Sequence, residues 1–258
     1  MNQRLVHLAV LMTFWVFSVA RAGLPETIEK IRPSIVAIGT YQATRSQPLK
    51  VQGTGFIVMN GRYIATNYHV VSKEIKFAKE EYRVVLIGHG RNVKFYRLHE
   101  AALDRDHDLA LYSFSGPKQP TMRIRQHGQV REGERYAFTG YPIAPILGLY
   151  PVTHRAIISA ITPMVARSNN SNTLTAKQII KLRSGSYQVY QLDAIAFPGN
   201  SGSPVYDPET GQVIAILNSV YVKGYRENAL RHPSGISYAI PVRYLDALIA
   251  QVTSNLSK

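Results

Sequence analysis

A serine between two glycines is the residue of this sequence whose surroundings best suit nucleophilic chemistry. Ser201 lies in the segment FPGNSGSP, which directly precedes a run with the composition of a β-strand. Small neighbours allow a substrate to approach the Oγ of Ser201. A Gly-rich turn can also direct the backbone N–H groups of Gly199 and Ser201 at one point, where they would stabilise an oxyanion. The same composition is typical of an ordinary turn, so the segment alone indicates only a candidate nucleophile.

A histidine at the end of an apolar segment is the candidate general base. His69 follows the segment RYIATNY, which predicts a strand that can hold an imidazole at the edge of a cleft. A neutral imidazole can accept the proton of a serine and return it to a leaving group, because its pKa lies near the working pH. The chain has seven other histidines, so only the context of His69 favours it.

An acidic turn, DRDHD, ends at Asp108 and leads into the apolar run LAL. A carboxylate here could accept the Nδ1–H of the histidine and so fix its tautomer. Three aspartates compete for this role. Asp108 is favoured because it adjoins the apolar run, whereas Asp104 and Asp106 fit a solvated turn. His107 is expected at the surface, and metal binding by His107 with the aspartates is a weaker alternative because no ligand spacing supports it.

The composition excludes several kinds of chemistry. The 258 residues contain no cysteine, which rules out disulfides, a thiolate nucleophile and Cys-ligated metal sites. With 30 Lys and Arg against 16 Asp and Glu, the formal net charge of +14 favours contact with anionic surfaces. The basic residues are scattered and no nucleic-acid recognition motif is present, so we expect no nucleic acid partner. Weak contact with an anionic membrane surface remains an interpretation of this charge.

The first 22 residues have the pattern of a secretory signal peptide. A basic residue, Arg4, precedes the mostly apolar run from Leu5 to Val19, and Ala20 and Ala22 supply small residues around a cleavage point. The apolar run is short for a membrane-spanning helix, which needs roughly 20 residues. We therefore expect an exported protein, periplasmic or secreted.

The remainder alternates short apolar runs with turn residues, which predicts an all-β barrel or sandwich. A short helix is expected at residues 25–31 and a C-terminal helix at 242–252. The predicted strands cover residues 35–39, 55–59, 63–66, 82–87, 109–114, 135–139, 156–161, 187–192, 203–206, 212–217 and 236–240.

The order His69, Asp108, Ser201, within TNYHV, DLAL and GNSGSP, resembles the chymotrypsin clan of serine peptidases, in particular its bacterial HtrA/Deg branch. The segments GTG at 53–55, IRPSIV at 31–36 and SYAIPV at 237–242 extend the similarity over nearly all of residues 23–258.

The resemblance implies two antiparallel six-stranded β-barrels with a C-terminal helix. Residues 23–118 would form the barrel with the base and acid, and residues 119–258 the barrel with the nucleophile and the helix. Ser201 would attack the scissile carbonyl of a protein or peptide substrate, His69 would transfer the proton and Asp108 would orient His69. The N–H groups of Gly199 and Ser201 would form the oxyanion hole. No cofactor and no metal are implied.

The sequence departs from the clan at two positions of the nucleophile segment. In the pancreatic branch an aspartate directly precedes the serine and pairs with a new N-terminus, whereas this chain has Asn200, so activation by cleavage is not expected. Ser203 stands where a second glycine is common, and we expect the strand to tolerate it.

The resemblance also places a substrate pocket. Its floor would be Ile195, with walls formed by Leu217, Asn218, Ser219 and Val220. An apolar floor without a carboxylate offers no partner to Lys or Arg, so we expect cleavage after small or medium aliphatic residues.

Two further expectations concern regulation and assembly. After Pro241 only a helix fits, so we expect neither a PDZ domain nor the oligomeric control that it provides, and a monomer rather than a trimer. The polar and basic segment 164–185 is either a gating loop or an inert insertion. The alternative functions are a catalytically weak binding or chaperone-like module of the same fold, and a basic protein that binds anionic envelope surfaces.

Overall fold

A computed structural model describes residues 23–75, 80–90, 92–144, 148–164, 187–218 and 236–256. Within these ranges twelve strands form two closed antiparallel barrels, which confirms the expected fold class. The first barrel has the strand order β1-β2-β3-β6-β5-β4 and the second β10-β11-β12-β9-β8-β7. The strands of the first barrel are β1 Ile35–Tyr41, β2 Leu49–Val58, β3 Tyr63–Asn67, β4 Tyr82–His89, β5 Asn92–Asp104 and β6 Leu109–Phe114. Those of the second are β7 Arg135–Gly140, β8 Val152–Pro163, β9 Gln188–Leu192, β10 Pro204–Tyr206, β11 Val213–Asn218 and β12 Ser237–Pro241.

Each barrel has its own apolar interior. Side chains alternate between the two faces of a strand, so neighbouring residues enter different cores. In β2, Ile57 packs inside the first barrel, while Phe56 packs in the core between the barrels. Phe138 and Leu217 belong to the interior of the second barrel. Because both faces of these strands are covered, their sequences are nearly continuous apolar runs rather than alternating ones.

A third core joins the two barrels and the terminal helices. It contains Leu109 and Leu111 from the first barrel, Tyr206 and Ile216 from the second, and Leu245 from the C-terminal helix, all of them buried. Tyr141 lies in the same core, and its hydroxyl shares its one proton between the carbonyls of Ile35 and Gly88, each at 3.3 Å. Burial raises the pKa of Tyr141 to about 12, so this phenol stays protonated at neutral pH.

Three α-helices and one 3-10 turn complete the described structure. Helix α1 spans Leu24–Ile31 and runs into the 3-10 turn Arg32–Ser34, α2 is the single turn Tyr68–Val71, and α3 spans Arg243–Leu256. The apolar face predicted for the C-terminal helix is confirmed, because Leu245, Leu248 and Val252 are buried. None of the helices that the structure describes is both long and apolar enough to span a bilayer.

The strand pattern missed one element. No strand was expected between residues 88 and 104, yet β5 is the longest of the described strands, with 13 residues. Most of its residues are exposed or half-buried, and its sequence, NVKFYRLHEAALD, mixes charged with apolar residues instead of forming an apolar run. It closes the first barrel by pairing with β4 and β6. The predicted signal segment 1–22 and residues 165–186, which contain nearly all of the segment expected to be a gating loop or an insertion, lie outside the described residues.

Candidate active site

A close pair of side chains, His69 and Asp108, lies at the ends of two neighbouring strands. Asn67 at the end of β3 pairs with Leu109 at the start of β6. This register brings His69, two residues after Asn67, close to Asp108, which directly precedes Leu109. The Nδ1 of His69 is 2.6 Å from the Oδ2 of Asp108. The backbone N–H of His69 donates to the Oδ1 of Asp108 at 2.8 Å. The two carboxylate oxygens therefore hold both the ring and the backbone of His69.

The carboxylate also determines which ring nitrogen of His69 carries the proton. An ionised carboxylate only accepts hydrogen bonds, so the Nδ1 facing it must be the donor. This tautomer leaves the lone pair of Nε2 available to accept a proton. Both side chains are largely shielded, with 19% of His69 and 14% of Asp108 exposed. The pair therefore has the arrangement that a general base and its orienting acid require.

The backbone of Asp108 is held in an uncommon conformation. Its φ of +53° lies in the left-handed region, which non-glycine residues rarely adopt. The carbonyl of Asp108 accepts hydrogen bonds from the backbone N of Tyr68 at 3.0 Å and from the Nδ2 of Asn67 at 3.1 Å. These bonds lock the residue in place and so turn its side chain towards His69.

A third partner of the carboxylate comes from the second barrel. The Nδ2 of Asn218 donates to the Oδ2 of Asp108 at 2.8 Å. Asn218 is 1% exposed and ends the apolar strand β11. The resemblance placed Asn218 in the substrate pocket, and its contact with Asp108 was not foreseen. A polar residue that ends a fully apolar strand is the signal that could have pointed to it.

The turn that contains Ser201 lies against the same region. Gly202 donates its N–H to the carbonyl of Leu217, which directly precedes Asn218, at 2.9 Å. Gly202 has no room for a side chain, because the hydroxyl of Thr66 and the carbonyl of Thr54 lie against its Cα. Ser201 itself is 4% exposed. The three sequence motifs around His69, Asp108 and Ser201 are thus brought together.

Gly53, on β2 of the first barrel, lies between the segment after His69 and the turn that contains Ser201. A Cβ at Gly53 would lie 2.7 Å from a methyl group of Val70, the neighbour of His69, and 3.0 Å from the carbonyl oxygen of Ser201. Only a glycine allows this approach between the segment after His69 and the serine turn.

The carbonyls of the serine turn are fixed by hydrogen bonds. The carbonyl of Pro198 accepts from the N of Ile143 at 2.8 Å, and that of Asn200 accepts from the N of Ser203 at 3.0 Å. In a trans peptide the N–H points opposite to the C=O, so these bonds also fix the directions of the next N–H groups. Those are the N–H groups of Gly199 and Ser201. Gly199 has φ +102°, a conformation that requires glycine.

The predicted pocket residues lie in different environments. Ile195 is half-buried in the segment that leads to the serine turn. Leu217 is fully buried in the interior of the second barrel, so its side chain offers no surface to a substrate. Ser219 and Val220 lie outside the described residues.

His107 is more enclosed than the sequence suggested. Its Nδ1 is 2.7 Å from the Oδ2 of Asp104, and its ring stacks on Tyr244 of α3 with 4.0 Å between centroids. Asp104 therefore has a partner of its own and does not compete for His69. Among the residues that the structure describes, no cluster of three or more His, Asp or Glu side chains could hold a metal ion.

The fold and the comparisons with known proteins agree on the class of this chain. Two closed antiparallel six-stranded barrels followed by a C-terminal helix define the chymotrypsin-like class of folds. A family model described as the trypsin-like peptidase domain matches residues 53–216, which is more than half of the chain. The chain therefore belongs to the family of trypsin-like peptidase domains.

Several known proteins are similar to the chain. Serine protease HTRA1A of Danio rerio is 26% identical over 239 residues, which cover 91% of this chain and 42% of that protein. Serine protease HTRA3 of Rattus norvegicus is 27% identical over 224 residues, with coverages of 84% and 42%. The chain thus spans less than half the length of the curated relatives it matches. The crystal structure of the serine endoprotease from Yersinia pestis has the same fold, with a TM-score of 0.60, 20% identity, and coverage of 90% of this chain and 66% of that one.

Proposed function

We propose that this chain is a serine endopeptidase that hydrolyses peptide bonds in proteins through an acyl-enzyme intermediate. The observation that carries the proposal is the double contact of Asp108 with His69, together with the link from Asp108 through Asn218 to the turn that contains Ser201. The family and its HtrA-type relatives support the same reaction. The proposal assigns the base and acid to residues 23–118 and the nucleophile to residues 119–258.

The reaction follows from the roles of these groups. The Oγ of Ser201 attacks the carbonyl carbon of the substrate while its proton moves to the Nε2 of His69. The negative charge that forms on the carbonyl oxygen is stabilised by the N–H groups of Gly199 and Ser201. His69, now protonated and stabilised by Asp108, gives its proton to the amine as the C–N bond breaks. A water molecule then attacks the acyl-enzyme with His69 again as base, which releases the acid and restores Ser201.

The preference for the residue before the cleaved bond rests on Ile195. An isoleucine at the floor of the pocket cannot form an ion pair with Lys or Arg, so we expect small or medium aliphatic residues there. A peptide library tests this directly. Predominant cleavage after Lys or Arg would overturn the assignment of the pocket.

The setting in which the enzyme acts is also a proposal. The signal pattern of residues 1–22 supports export to the periplasm or the medium, with processing or quality control of envelope proteins as the role. We expect the protein to act as a monomer, and chromatography with light scattering measures this.

The proposal is tested by comparing the purified chain with Ser201→Ala on casein and on a fluorogenic peptide. Removal of the nucleophile should lower kcat by several orders of magnitude, as it does where a triad acts as a unit. Ser254→Ala, an exposed serine on α3, is the matched control and should retain full activity. Equal hydrolysis by the wild type and Ser201→Ala would refute the nucleophile, and binding of casein without hydrolysis by the wild type would favour a binding module.

A further inference from the structure

Thr54 connects the elements that carry the nucleophile and the base. It lies in β2 of the first barrel and is fully buried. Its backbone N donates to the carbonyl of Ser201 at 2.9 Å, and its Oγ1 donates to the carbonyl of Gly199 at 2.7 Å. One residue of the first barrel therefore holds two carbonyls of the serine turn, on both sides of Asn200.

The same residue is bonded to Tyr141, which directly follows β7, and to Thr66 on β3. The Oγ1 of Thr54 accepts a hydrogen bond from the N of Tyr141 at 2.9 Å. Tyr141 lies two residues before Ile143, whose N–H holds the carbonyl of Pro198. The carbonyl of Thr54 accepts from the Oγ1 of Thr66 at 2.7 Å, and Thr66 lies on β3, which leads into His69.

The hydroxyl of Thr54 uses both of its hydrogen-bonding capacities, as a donor to Gly199 and as an acceptor from Tyr141. A hydroxyl is the small side-chain group that can do both. Valine has the same shape but can do neither, so it would leave the partly buried carbonyl of Gly199 and the buried N–H of Tyr141 without this partner.

The side chain of Asn200 does not supply this support. Asn200 is fully buried in the middle of the turn, yet within the described part of the chain neither its Oδ1 nor its Nδ2 has a hydrogen-bond partner. The Oγ of Ser203 is in the same situation. Thr54 therefore supplies two of the hydrogen bonds that tie the turn to the first barrel, and the side chains of Asn200 and Ser203 supply none within the described residues.

We propose that Thr54 is a positioning residue, which fixes the serine turn against the strand that carries His69 and so aligns the nucleophile and the oxyanion hole. This inference rests on the proposed peptidase function. A misplacement of about 1 Å in such a site can cost about 100-fold in rate. Thr54→Val should therefore lower kcat by about 100-fold with little change in KM, because Thr54 touches the turn and not the substrate.

Conservative and control variants separate positioning from general stability. Thr54→Ser keeps the hydroxyl and should retain kcat within about 3-fold of the wild type. Thr139→Val is the matched control, because Thr139 is a buried threonine whose hydroxyl bonds with Thr153 of β8 and Tyr206 of β10 at 2.8 Å each, all three on strands of the second barrel. It should lower the melting temperature as Thr54→Val does but leave kcat near the wild-type value.

The experiment measures kcat and KM on a fluorogenic peptide, and the melting temperature, for the wild type and the three variants. A low kcat in Thr54→Val, with activity retained in Thr54→Ser and Thr139→Val, supports the inference. Wild-type kcat in Thr54→Val, or an equal loss in Thr139→Val, overturns it. If Thr54→Val does not fold, Thr54→Ser decides, since a 100-fold loss there with an unchanged melting temperature also overturns the role of the hydroxyl. An inactive wild type would instead refute the proposed function itself.

Discussion

Asp108 contacts His69 with both oxygens of its carboxylate, one at the backbone N at 2.8 Å and one at the ring Nδ1 at 2.6 Å. The contact to the ring Nδ1 fixes the tautomer of His69. The contact to the backbone N also fixes the position of the main chain that carries the ring. Because Asp108 is in turn held by Tyr68, Asn67 and Asn218, the position of the base depends on residues from both barrels.

Asp108→Asn should preserve the fold and abolish most of the activity. An amide in this position can present its N–H₂ to the Nδ1 of His69, which favours the wrong tautomer and leaves Nε2 protonated. We expect kcat to fall by about four orders of magnitude at neutral pH, as it does when the aspartate of a Ser-His-Asp triad is replaced by asparagine. Steady-state kinetics measure this, with circular dichroism as the test of folding. A folded variant within tenfold of the wild-type kcat would contradict the role of Asp108.

Asn218→Ala removes the hydrogen bond that the second barrel gives to Asp108. A bond to a charged group contributes roughly 1.5–3 kcal/mol, so we expect kcat to fall by about tenfold or more. Asn218→Asp should cost more than Asn218→Ala, because it sets a second carboxylate beside Asp108. Kinetics on one peptide rank the two variants. The reverse ranking would show that Asn218 does not act through the charge of Asp108.

Gly140→Ala should destabilise the protein, because Gly140 packs closely against side chains of the serine turn. A Cβ at Gly140 would collide with the Oγ of Ser203 and would come within 3.0 Å of the Oδ1 of Asn200. We expect a loss of roughly 1–3 kcal/mol in the free energy of unfolding, as in other overpacked cores. Adding Ser203→Gly removes the nearest of these atoms and should recover part of the loss. Denaturant unfolding of both variants measures this, and purely additive losses would contradict it.

The burial of His154 predicts that the stability of the protein depends on pH. Its ring stacks on Phe138 with 4.8 Å between centroids, and burial lowers the pKa of His154 below its usual value near 6.5. The unfolded chain therefore takes up a proton first as the pH falls, and this part of the stability is lost below about pH 6.5.

His154→Phe should remove this dependence. The difference in unfolding free energy between the wild type and His154→Phe is expected to shift in favour of the variant between pH 7.5 and pH 5. His127→Gln, at an exposed histidine, serves as the control and should follow the wild type. A constant difference across this range would mean that His154 titrates normally in the folded protein.

The sequence predicted most of the strands because they bury apolar side chains on both faces and leave an apolar run behind. This pattern left a barrel or a sandwich open, and the resemblance to the chymotrypsin clan supplied the two barrels. The exposed strand β5 leaves no such run, so the sequence missed it, and the structure shows that it closes the first barrel. The C-terminal helix was predictable from Leu245, Leu248 and Val252, whose spacing matches one helical face.

The site was predictable only in part. The sequence selected Asp108 over Asp104 and Asp106 because of the apolar run that follows it, and the structure places its carboxylate on His69. Asn218 lies 110 positions from its partner Asp108 in the sequence, and Thr54 lies 145 positions from its partner Gly199. The place of Asn218 at the end of an apolar strand is a local signal, but no local pattern gives the partner of either residue, since the contacts depend on how the two barrels pack.

Site mapping of a fluorophosphonate adduct tests the central claim, that Ser201 is a nucleophile activated by His69. In this reaction the Oγ of Ser201 forms a bond to phosphorus and fluoride leaves, while the proton passes to His69. We predict that peptide mass spectrometry finds the adduct on Ser201 in the wild type and at no other serine, and that His69→Ala is labelled far more slowly. A hydrolytically active wild type whose Ser201 stays unlabelled, or equal labelling in the folded His69→Ala variant, would contradict this account.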